Sequence, residues 1–397
     1  MTAELTADGC RARRERLFSR LPDGTDWVLL ADPRHVMYLA NFWLQPISFS
    51  NGEGSLLLLE RGGRSTLLTD NFTAKSAATS PHVDEVHTYE WYNHKKSTIN
   101  RDQAKLNAFR DVAADRCRGI GRIENEAVPG MCWFAFESLG LTIEDGSLVE
   151  GFVPPDESCD DVGTLLRSMR RQKDADEIEL MRQCMAAGKA GHDWCRANLE
   201  AGMTELDLYL GVAASAQREA GQPAIVYGDF RLCNAANPKQ GGLPDGGVLS
   251  EGDTYVLDYT VMLAGYRSDF TNAYAVGQVS DGVRELFGLC QQAMANGEDE
   301  LSAGTACSQV YDAVKKPFVD GAHPDAFPHH AGHGLGLGHP EWPTLVPDST
   351  DTLLAGDVVT LEPGAYVEGI GGMRIEHNYL VTDDGYERLS NHTIALD

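Results

Sequence analysis

The chain has 397 residues and a formal net charge of −26 at pH 7, with 59 acidic residues against 33 Lys and Arg. This length allows one to three domains with an ample core. The acidity argues against a nucleic-acid partner, because the neutralisation of phosphates requires clustered Lys and Arg. No apolar stretch approaches the roughly 18 residues of a membrane span, so we expect no transmembrane helix and no membrane partner.

The N-terminal segment and the cysteines both bear on the cellular compartment. MTAELTADGCRARRERL contains no apolar core, so we expect no secretory signal. The nine cysteines are scattered without paired spacing, which favours free thiols in a reducing compartment. We therefore predict a cytoplasmic protein.

The first part of the chain alternates short apolar runs with helical patterns. The apolar runs predict strands at 27–30, 55–59 and 65–68. A polar, proline-bearing segment at 151–161 predicts a linker. We therefore place a first domain at 1–155 and a second at 156–397.

The second domain begins with helical patterns. Apolar residues at helical spacing follow Asp174 and recur between Val283 and Met294, which predicts two helices that face the core. Thr204 and Asp207 have the spacing of a capping box, which predicts a helix start. The strand-like runs between these helices are arranged as hairpins. They predict an α+β class with a curved, mostly antiparallel sheet and helices on one face.

Two pairs of acidic residues interrupt apolar, β-prone runs towards the C-terminus. Asp258 and Asp269 flank a predicted turn at 263–264, so we expect them to lie opposite each other in a hairpin. Glu362 and Glu376 are equally distant from the start of a glycine-rich turn, so they too can face each other.

A metal ion is the partner that best suits these four carboxylates, with His333 between the two pairs. Any one of the acids alone would more often be a solvent-facing strand residue or a cap. A carboxylate in a half-buried strand is costly unless it is paired, and no comparable cluster of Lys or Arg accompanies them. Carboxylate oxygens with one imidazole suit two divalent ions such as Mn, Co, Fe or Zn.

Four motifs in this order resemble the pita-bread metallohydrolases, which include methionine aminopeptidases, aminopeptidase P, prolidase and creatinase. The motifs are Asp258-x10-Asp269, GHGLG at 332–336, EPG at 362–364 and RIE at 374–376. LRSMRRQKDADEIELMRQ is similar to the segment that opens the family's catalytic domain. RRERLFSRL and DPRHVMYLANF resemble the N-terminal domain of the prolidase and creatinase branch, so the resemblance covers nearly the whole chain.

The resemblance implies a set of ligands for two divalent metal ions. Asp269 and Glu376 would bridge the ions, Asp258 would complete one coordination shell, and His333 and Glu362 would complete the other. Manganese is the leading choice of metal, with cobalt, zinc and iron as alternatives. The resemblance also implies a homodimer.

Three further roles near the ligands are expected. Glu362 would shuttle the proton of the nucleophile. Arg374, two residues before Glu376 and so on the same face of a strand, would orient the carboxylates. Thr271 can hydrogen-bond near the site or be an ordinary strand residue, and we favour the second reading.

The substrate residues follow the family only in part. His329 matches a substrate histidine four residues before the metal histidine, while the neighbouring His330 is assigned no role. A second family histidine would fall at position 340, which is a proline here. His339 lies one residue earlier, and two readings of it are almost equally favoured: a residue on the rim without a role, or a contact to the substrate. Lys239 replaces a third histidine and can bind a carbonyl or a carboxylate.

We therefore predict a dinuclear metal-dependent hydrolase that cleaves Xaa-Pro bonds, in a dipeptide as prolidase does or at a peptide N-terminus as aminopeptidase P does. The alternative is the same scaffold acting on a small non-peptide metabolite, as in ectoine hydrolase or dimethylsulfoniopropionate lyase. A metal-independent enzyme resembling creatinase and a non-catalytic binding module are both disfavoured, because all five ligands are intact.

Overall fold

The computed structural model describes residues 4–44, 54–124, 127–143 and 162–397. This described chain forms two compact units, residues 4–170 and residues 171–397. The predicted linker at 151–161 lies outside the described residues, so the domain boundary at 155/156 stays a prediction.

In its described residues, the N-terminal unit is built on a mixed six-stranded sheet. Its strands are β1 (Thr25–Leu30), β2 (Leu56–Glu60), β3 (Ser65–Asp70), β4 (Glu85–Tyr89), β5 (Ile120–Ile123) and β6 (Thr142–Ile143), in the order β4-β3-β2-β1-β5-β6. Its helices are α1 (Ala7–Arg20), α2 (Pro33–Ala40), α3 (Arg101–Arg116), α4 (Met131–Ser138) and α5 (Val162–Met169), with a 3₁₀ turn at Thr73–Lys75. The three predicted strands are confirmed as β1, β2 and β3. The four leucines of β2 are all buried, as expected for a central strand that is covered on both faces.

A buried polar cluster fixes the start of α2 in this unit. Asp32 caps the helix by accepting a hydrogen bond from Arg34 N (2.8 Å), and its carboxylate also binds the Arg34 guanidinium. Glu124 Oε2 accepts from the backbone N–H groups of Ala31 (2.9 Å) and Asp32 (2.8 Å). Glu124 Oε1 is in close contact with His35 Nδ1. The four carboxylate oxygens of this cluster therefore each have a donor.

The C-terminal unit combines four helices with antiparallel strands. The helices are α6 (Ala175–Asn198), α7 (Glu205–Ala220), α8 (Asp281–Glu298) and α9 (Cys307–Asp320). The strands are β7 (Ile225–Cys233), β8 (Thr254–Leu263), β9 (Tyr266–Arg267), β10 (Phe270–Ala275), β11 (Gly332–Gly334), β12 (Glu341–Leu345), β13 (Val358–Leu361), β14 (Gly364–Val367), β15 (Gly371–Arg374), β16 (His377–Val381) and β17 (Tyr386–Arg388). They form sheets with the orders β10-β8-β7, β12-β11-β13-β16-β17 and β14-β15, and β9 pairs with β8.

The helix signals in the sequence are confirmed. Asp174 is the N-cap of α6, and Thr204 and Asp207 form the predicted capping box at the start of α7. The apolar stripe of α8 is buried in a core that also contains residues of β13 to β16. This core supports the strands that carry Glu362 and Glu376.

The hairpin of the first acid pair differs in register from the prediction. Asp258 pairs with Thr271, not with Asp269. The turn is centred one residue later than predicted, on Ala264 and Gly265, which have φ of 47° and 83°. A two-residue hairpin turn of this kind requires positive φ at both positions, and glycine adopts it without strain. A shift of two residues in the pairing preserves the face, so both aspartates still project from the same side of the sheet.

The second acid pair has the predicted symmetry. Leu361 pairs with His377, and Gly364 pairs with Arg374. The intervening Glu362 and Glu376 therefore fall at matching positions across the two strands.

Two further expectations concern helices and thiols. Within the described chain, every helix is too short or too polar to cross a membrane. Eight cysteines in the described chain are buried free thiols, and the ninth, Cys159, lies outside it.

Candidate metal centre

A cavity of about 490 Å³ in the C-terminal unit brings together every site residue that the sequence analysis named. Those residues are Lys239, Asp258, Asp269, His329, His333, His339, Glu362, Arg374 and Glu376. They come from strands and loops that are far apart in the chain. The antiparallel sheets therefore concentrate acids and imidazoles at one place.

His333 is held at the cavity by close packing of its strand. A Cβ atom on Gly332 would lie 2.0 Å from the carbonyl oxygen of Thr360, and one on Gly334 would lie 2.1 Å from that of Trp342. Only glycine therefore allows β11 to approach its two neighbours this closely. His333 Nδ1 lies 3.0 Å from the carbonyl oxygen of Gly334, which can only accept, so this nitrogen carries the proton.

The other ring nitrogen of His333 faces carboxylates. His333 Nε2 lies 3.5 Å from Asp269 Oδ2 and 3.5 Å from Glu362 Oε1. Because Nδ1 holds the proton, Nε2 presents a lone pair. This is the tautomer that a metal-binding histidine requires.

Asp258 shares the guanidinium of Arg374 with a residue that the sequence analysis missed. Asp229 is paired directly opposite Asp258 across β7 and β8. Like charges at such positions repel each other. Arg374 Nη2 contacts Asp258 and lies 2.8 Å from Asp229 Oδ2, while Arg374 Nη1 donates to the Tyr366 hydroxyl (3.0 Å). Arg374 therefore neutralises this pair and orients the Asp258 carboxylate.

Glu376 has one satisfied oxygen and one unsatisfied oxygen. Its Oε2 accepts a hydrogen bond from Thr271 Oγ1 (2.7 Å), so the reading of Thr271 as an ordinary strand residue is wrong. Its Oε1 is buried and has no hydrogen-bond partner within the described residues. A buried carboxylate oxygen without a donor calls for a cation.

The carboxyl pKa values differ according to their neighbours. Burial, together with the negative charges of Asp269 and Asp258, raises the pKa of Glu376 well above its usual value. Burial also raises the pKa of Asp258, to about 6, although Arg374 opposes the rise. Glu362 is also largely buried, but its pKa is lowered, chiefly because His330 donates a hydrogen bond to its carboxylate.

These observations fit divalent metal ions. Asp258, Asp269 and Glu376 place oxygens within 4.8 Å of one another, and a second such group contains Asp269, His333 and His339. Asp269 belongs to both groups, as a bridging ligand would. The donors are carboxylate oxygens and imidazole nitrogens, which suit Mn, Co, Fe or Zn.

Three histidines besides His333 line the cavity. His339 Nε2 lies 2.7 Å from Asp269 Oδ2, and His330 Nδ1 lies 3.3 Å from Glu362 Oε1. His329 Nδ1 lies 2.8 Å from the carbonyl oxygen of His330, whereas its buried Nε2 has no hydrogen-bond partner among the described residues. Burial lowers the pKa of His329 to about 4, so the ring is neutral near pH 7.

Lys239 is positioned by an aromatic ring. Its Nζ lies 5.2 Å from the ring centroid of Tyr366, and the described structure contains no carboxylate paired with it. Pro238 packs tightly against β15, since a Cβ on Gly372 would lie 1.6 Å from the Pro238 carbonyl oxygen. The ammonium group is therefore held at the cavity and remains available to an anion.

Sequence analysis missed Asp229, His330 and Tyr366. Asp229 interrupts an apolar run much as Asp258 does, and this signal could have suggested it. His330 was set aside, although it contacts Glu362. No sequence signal identified Tyr366, whose role depends on the pairing of β14 with β15.

Comparison with known proteins identifies the family. The model of metallopeptidase family M24 matches residues 179–383, which is more than half of the chain. The chain belongs to metallopeptidase family M24. An uncharacterised peptidase of Staphylococcus aureus (strain USA300) is 27% identical over 262 residues, which cover 64% of this chain and 72% of that protein. M24 metallopeptidases use divalent metals, in agreement with the donor set described above.

Solved structures with the same fold cover nearly all of this M24 protein. An Xaa-Pro dipeptidase from Bacillus anthracis has a TM-score of 0.74 at 21% identity and covers 98% of this chain and 99% of its own. An X-Pro aminopeptidase from Thermotoga maritima MSB8 has a TM-score of 0.75 at 19% identity and covers 97% of this chain and 98% of its own. The predicted pita-bread fold is thereby confirmed.

Proposed function

We propose that this M24 metallopeptidase is a dinuclear metal-dependent hydrolase that cleaves Xaa-Pro bonds in short peptides. The observation that carries the metal assignment is the presence of four carboxylates and His333 in one cavity, with Glu376 Oε1 left without a donor from any described residue. The residues that would hold the two ions are Asp258, Asp269, His333, Glu362 and Glu376.

Glu362 and Arg374 supply the chemistry around the ions. Two bound divalent ions would make hydroxide available near neutral pH and polarise the scissile carbonyl. Glu362, kept ionised by the neighbouring His330, accepts the proton of the attacking water and delivers it to the leaving nitrogen. Arg374 keeps Asp258 oriented by sharing its guanidinium with Asp229.

His329 suits the leaving-group side of the reaction. Its Nδ1 faces a carbonyl oxygen and must carry the proton, so the neutral ring offers a lone pair at Nε2. Such a nitrogen accepts a hydrogen bond and cannot donate one to a substrate carbonyl. We therefore assign His329 to the N–H that forms on the proline nitrogen as the C–N bond breaks.

Lys239 supports a short substrate that ends in a carboxylate. Its ammonium group lies in the same cavity as the proposed metal ligands and is not paired with an acid in the described structure. The free carboxylate of an Xaa-Pro dipeptide would supply that anion. The two proteins of known structure named above are an Xaa-Pro dipeptidase and an X-Pro aminopeptidase.

The test is a substrate panel on protein loaded with Mn²⁺ or Co²⁺. The panel contains Ala-Pro, a longer X-Pro peptide, and small betaine and amidine-like metabolites. Turnover of Ala-Pro above that of the longer peptide is expected, because Lys239 favours short substrates. Absence of X-Pro cleavage, with turnover of a metabolite, would replace this proposal with a small non-peptide substrate on the same site.

A further inference from the structure

His339 lies where an additional metal ligand would lie. Its Nε2 is 2.7 Å from Asp269 Oδ2, and His333 Nε2 is 3.5 Å from the same oxygen. The two imidazole rings are nearly perpendicular, with centroids 4.9 Å apart. Two rings thus approach one carboxylate oxygen from different directions.

These separations suit ligands of a single ion. Zinc-type ions bind imidazole nitrogen and carboxylate oxygen at about 2.0–2.2 Å, so two ligands at angles between 90° and 110° are about 3.0–3.5 Å apart. The distance from His333 to Asp269, 3.5 Å, lies at the upper end of this interval, and the distance from His339 to Asp269, 2.7 Å, is that of a hydrogen bond and would lengthen slightly around an ion. Asp269, His333 and His339 also keep their ligand atoms within 4.8 Å of one another.

His330 offers a useful contrast. It is also an imidazole at the cavity, but it approaches Glu362, at 3.3 Å, and not Asp269. Its close ligand atoms are those of His329 and Glu362, whereas His339 is grouped with His333 and Asp269. Proximity to the acids alone therefore does not select His339.

The segment that carries His339 is anchored by a hydrogen bond to Glu341, which forms a buried ion pair. Glu341 Oε2 accepts a hydrogen bond from Gly338 N (3.0 Å), and Glu341 Oε1 lies 3.0 Å from Lys173 Nζ. The Lys173 and Glu341 side chains are nearly buried. Although 39% of the His339 side chain is exposed, its backbone is held between β11 and this buried ion pair.

We propose that His339 is a sixth ligand and gives one of the two metal positions two imidazoles. This inference rests on the proposed dinuclear centre. The other position, formed by Asp258, Asp269 and Glu376, offers oxygen alone. Imidazole suits Zn, Co or Fe, whereas carboxylate oxygens also suit Mn, so the two positions differ in metal preference.

The experiment measures Co²⁺ binding to the full-length protein after chelation and dialysis. Calorimetric titration gives stoichiometry and affinity, and the visible absorption of bound Co²⁺ reports its nitrogen ligands. We expect His339→Gln to weaken one of two Co²⁺ sites by more than about a hundredfold, beyond the 10–100-fold typical of residues that only orient ligands. The visible spectrum should change with it. His330→Gln is the matched comparison: His330 contacts the proposed ligand Glu362 but is not itself proposed as a ligand, so its loss of affinity should stay within about a hundredfold and the spectrum should not change.

Further outcomes decide the inference. A Co²⁺ spectrum and affinities unchanged in His339→Gln would overturn it, as would a spectral change confined to His330→Gln. His339→Glu should recover affinity with a spectrum poorer in nitrogen, which guards against misfolding of the first variant. If the wild type binds a single ion, the dinuclear proposal fails. The role of His339 is then tested separately, by whether the spectrum of that single ion changes in His339→Gln.

Discussion

Two largely buried clusters of acidic side chains in the described chain, the first of which includes a histidine, bring their ligand atoms equally close and differ in their hydrogen bonding. Asp32, His35 and Glu124 bring their ligand atoms within 4.8 Å in the N-terminal unit, as Asp258, Asp269 and Glu376 do in the C-terminal unit. In the first cluster each carboxylate oxygen has a donor. In the second, the acids face one another, and Glu376 Oε1 has no donor among the described residues.

This difference separates a structural cluster from a cation site. Backbone N–H groups, Arg34 and His35 already neutralise the first cluster, so an ion there would have to displace them. The second cluster has too few donors for its charge, as the raised pKa values of Asp258 and Glu376 indicate. Closeness of ligand atoms is therefore a weak criterion for a metal site, and the number of hydrogen-bond donors to each carboxylate oxygen is a stronger one.

The largest effect should come from removing one of the two acids that are proposed to bridge the metal ions. We expect Glu376→Ala and Asp269→Ala to abolish metal loading and turnover while the protein stays folded. Elemental analysis after dialysis, with circular dichroism as the folding control, measures this. Glu124→Ala should leave the metal content unchanged. Full metal content in both bridging variants would contradict the assignment and erase the contrast between the clusters.

His329→Ala tests an imidazole that lies in the cavity but is not proposed as a ligand. We expect kcat/KM on Ala-Pro to fall roughly tenfold to a thousandfold, the scale of losing one hydrogen bond that strengthens in the transition state. Metal content should not change. A parallel loss of metal would place His329 among the ligands instead.

Glu124→Ala should destabilise the N-terminal unit by at least about 3 kcal/mol. The change leaves two backbone N–H groups and His35 Nδ1 buried without an acceptor, and each such group typically costs about 1–3 kcal/mol. Denaturant unfolding monitored in the full chain gives the value. Glu124→Gln keeps one carbonyl acceptor and should lose less. Equal stability of the alanine variant and the wild type would show that this cluster is not structural.

Lys239→Ala should raise KM for Ala-Pro by about tenfold with little change in kcat. A carboxylate clamp acts equally on the bound substrate and the transition state, so its loss appears in binding. Steady-state kinetics on Ala-Pro and on its C-terminal amide provide the comparison. The KM of the amide should not change with the substitution. An equal rise in KM for both substrates would show that Lys239 does not bind the substrate carboxylate.

The smallest effect concerns the pH dependence of Asp32. Burial alone would raise its pKa, but the hydrogen bonds and charge of Arg34 outweigh burial and lower the pKa from 3.8 to about 2. The folded value lies below the unfolded one, so the carboxylate stabilises the fold above about pH 4, and this stabilisation is lost as pH falls towards 2. Asp32→Asn, which still caps α2, should cost about 1 kcal/mol at pH 7, since Arg34 is partly exposed. The difference from wild type should shrink in unfolding experiments below pH 4; a constant difference would contradict this account.

The sequence was most informative where local rules decide the structure. Thr204 with Asp207 predicted a helix start because a capping box is a local hydrogen-bonding pattern. The predicted pairing partner of Asp258 was wrong by two residues. The turn depends on the positive φ of Ala264, and alanine is not a residue from which a positive φ is predicted. The alternation of strand side chains still kept both aspartates on one face.

The remaining site features depend on contacts between distant strands. Asp229 acquires its role because β7 aligns it with Asp258, and Tyr366 because β14 brings it to Arg374. His339 looked displaced in the sequence by one position, yet its ring reaches Asp269. Spacing along the chain cannot reveal such contacts, since they depend on the register of pairing.

The glycines on either side of His333 restrict how the pocket can be redesigned. A side chain at either position would collide with a backbone carbonyl oxygen of a neighbouring strand, at 2.0 Å from Thr360 or 2.1 Å from Trp342. A library intended to alter substrate choice should therefore leave β11 fixed and place its diversity at Lys239 and Tyr227, which are exposed at the cavity. New specificities could then be sought in this scaffold without rebuilding the strand that carries its histidine.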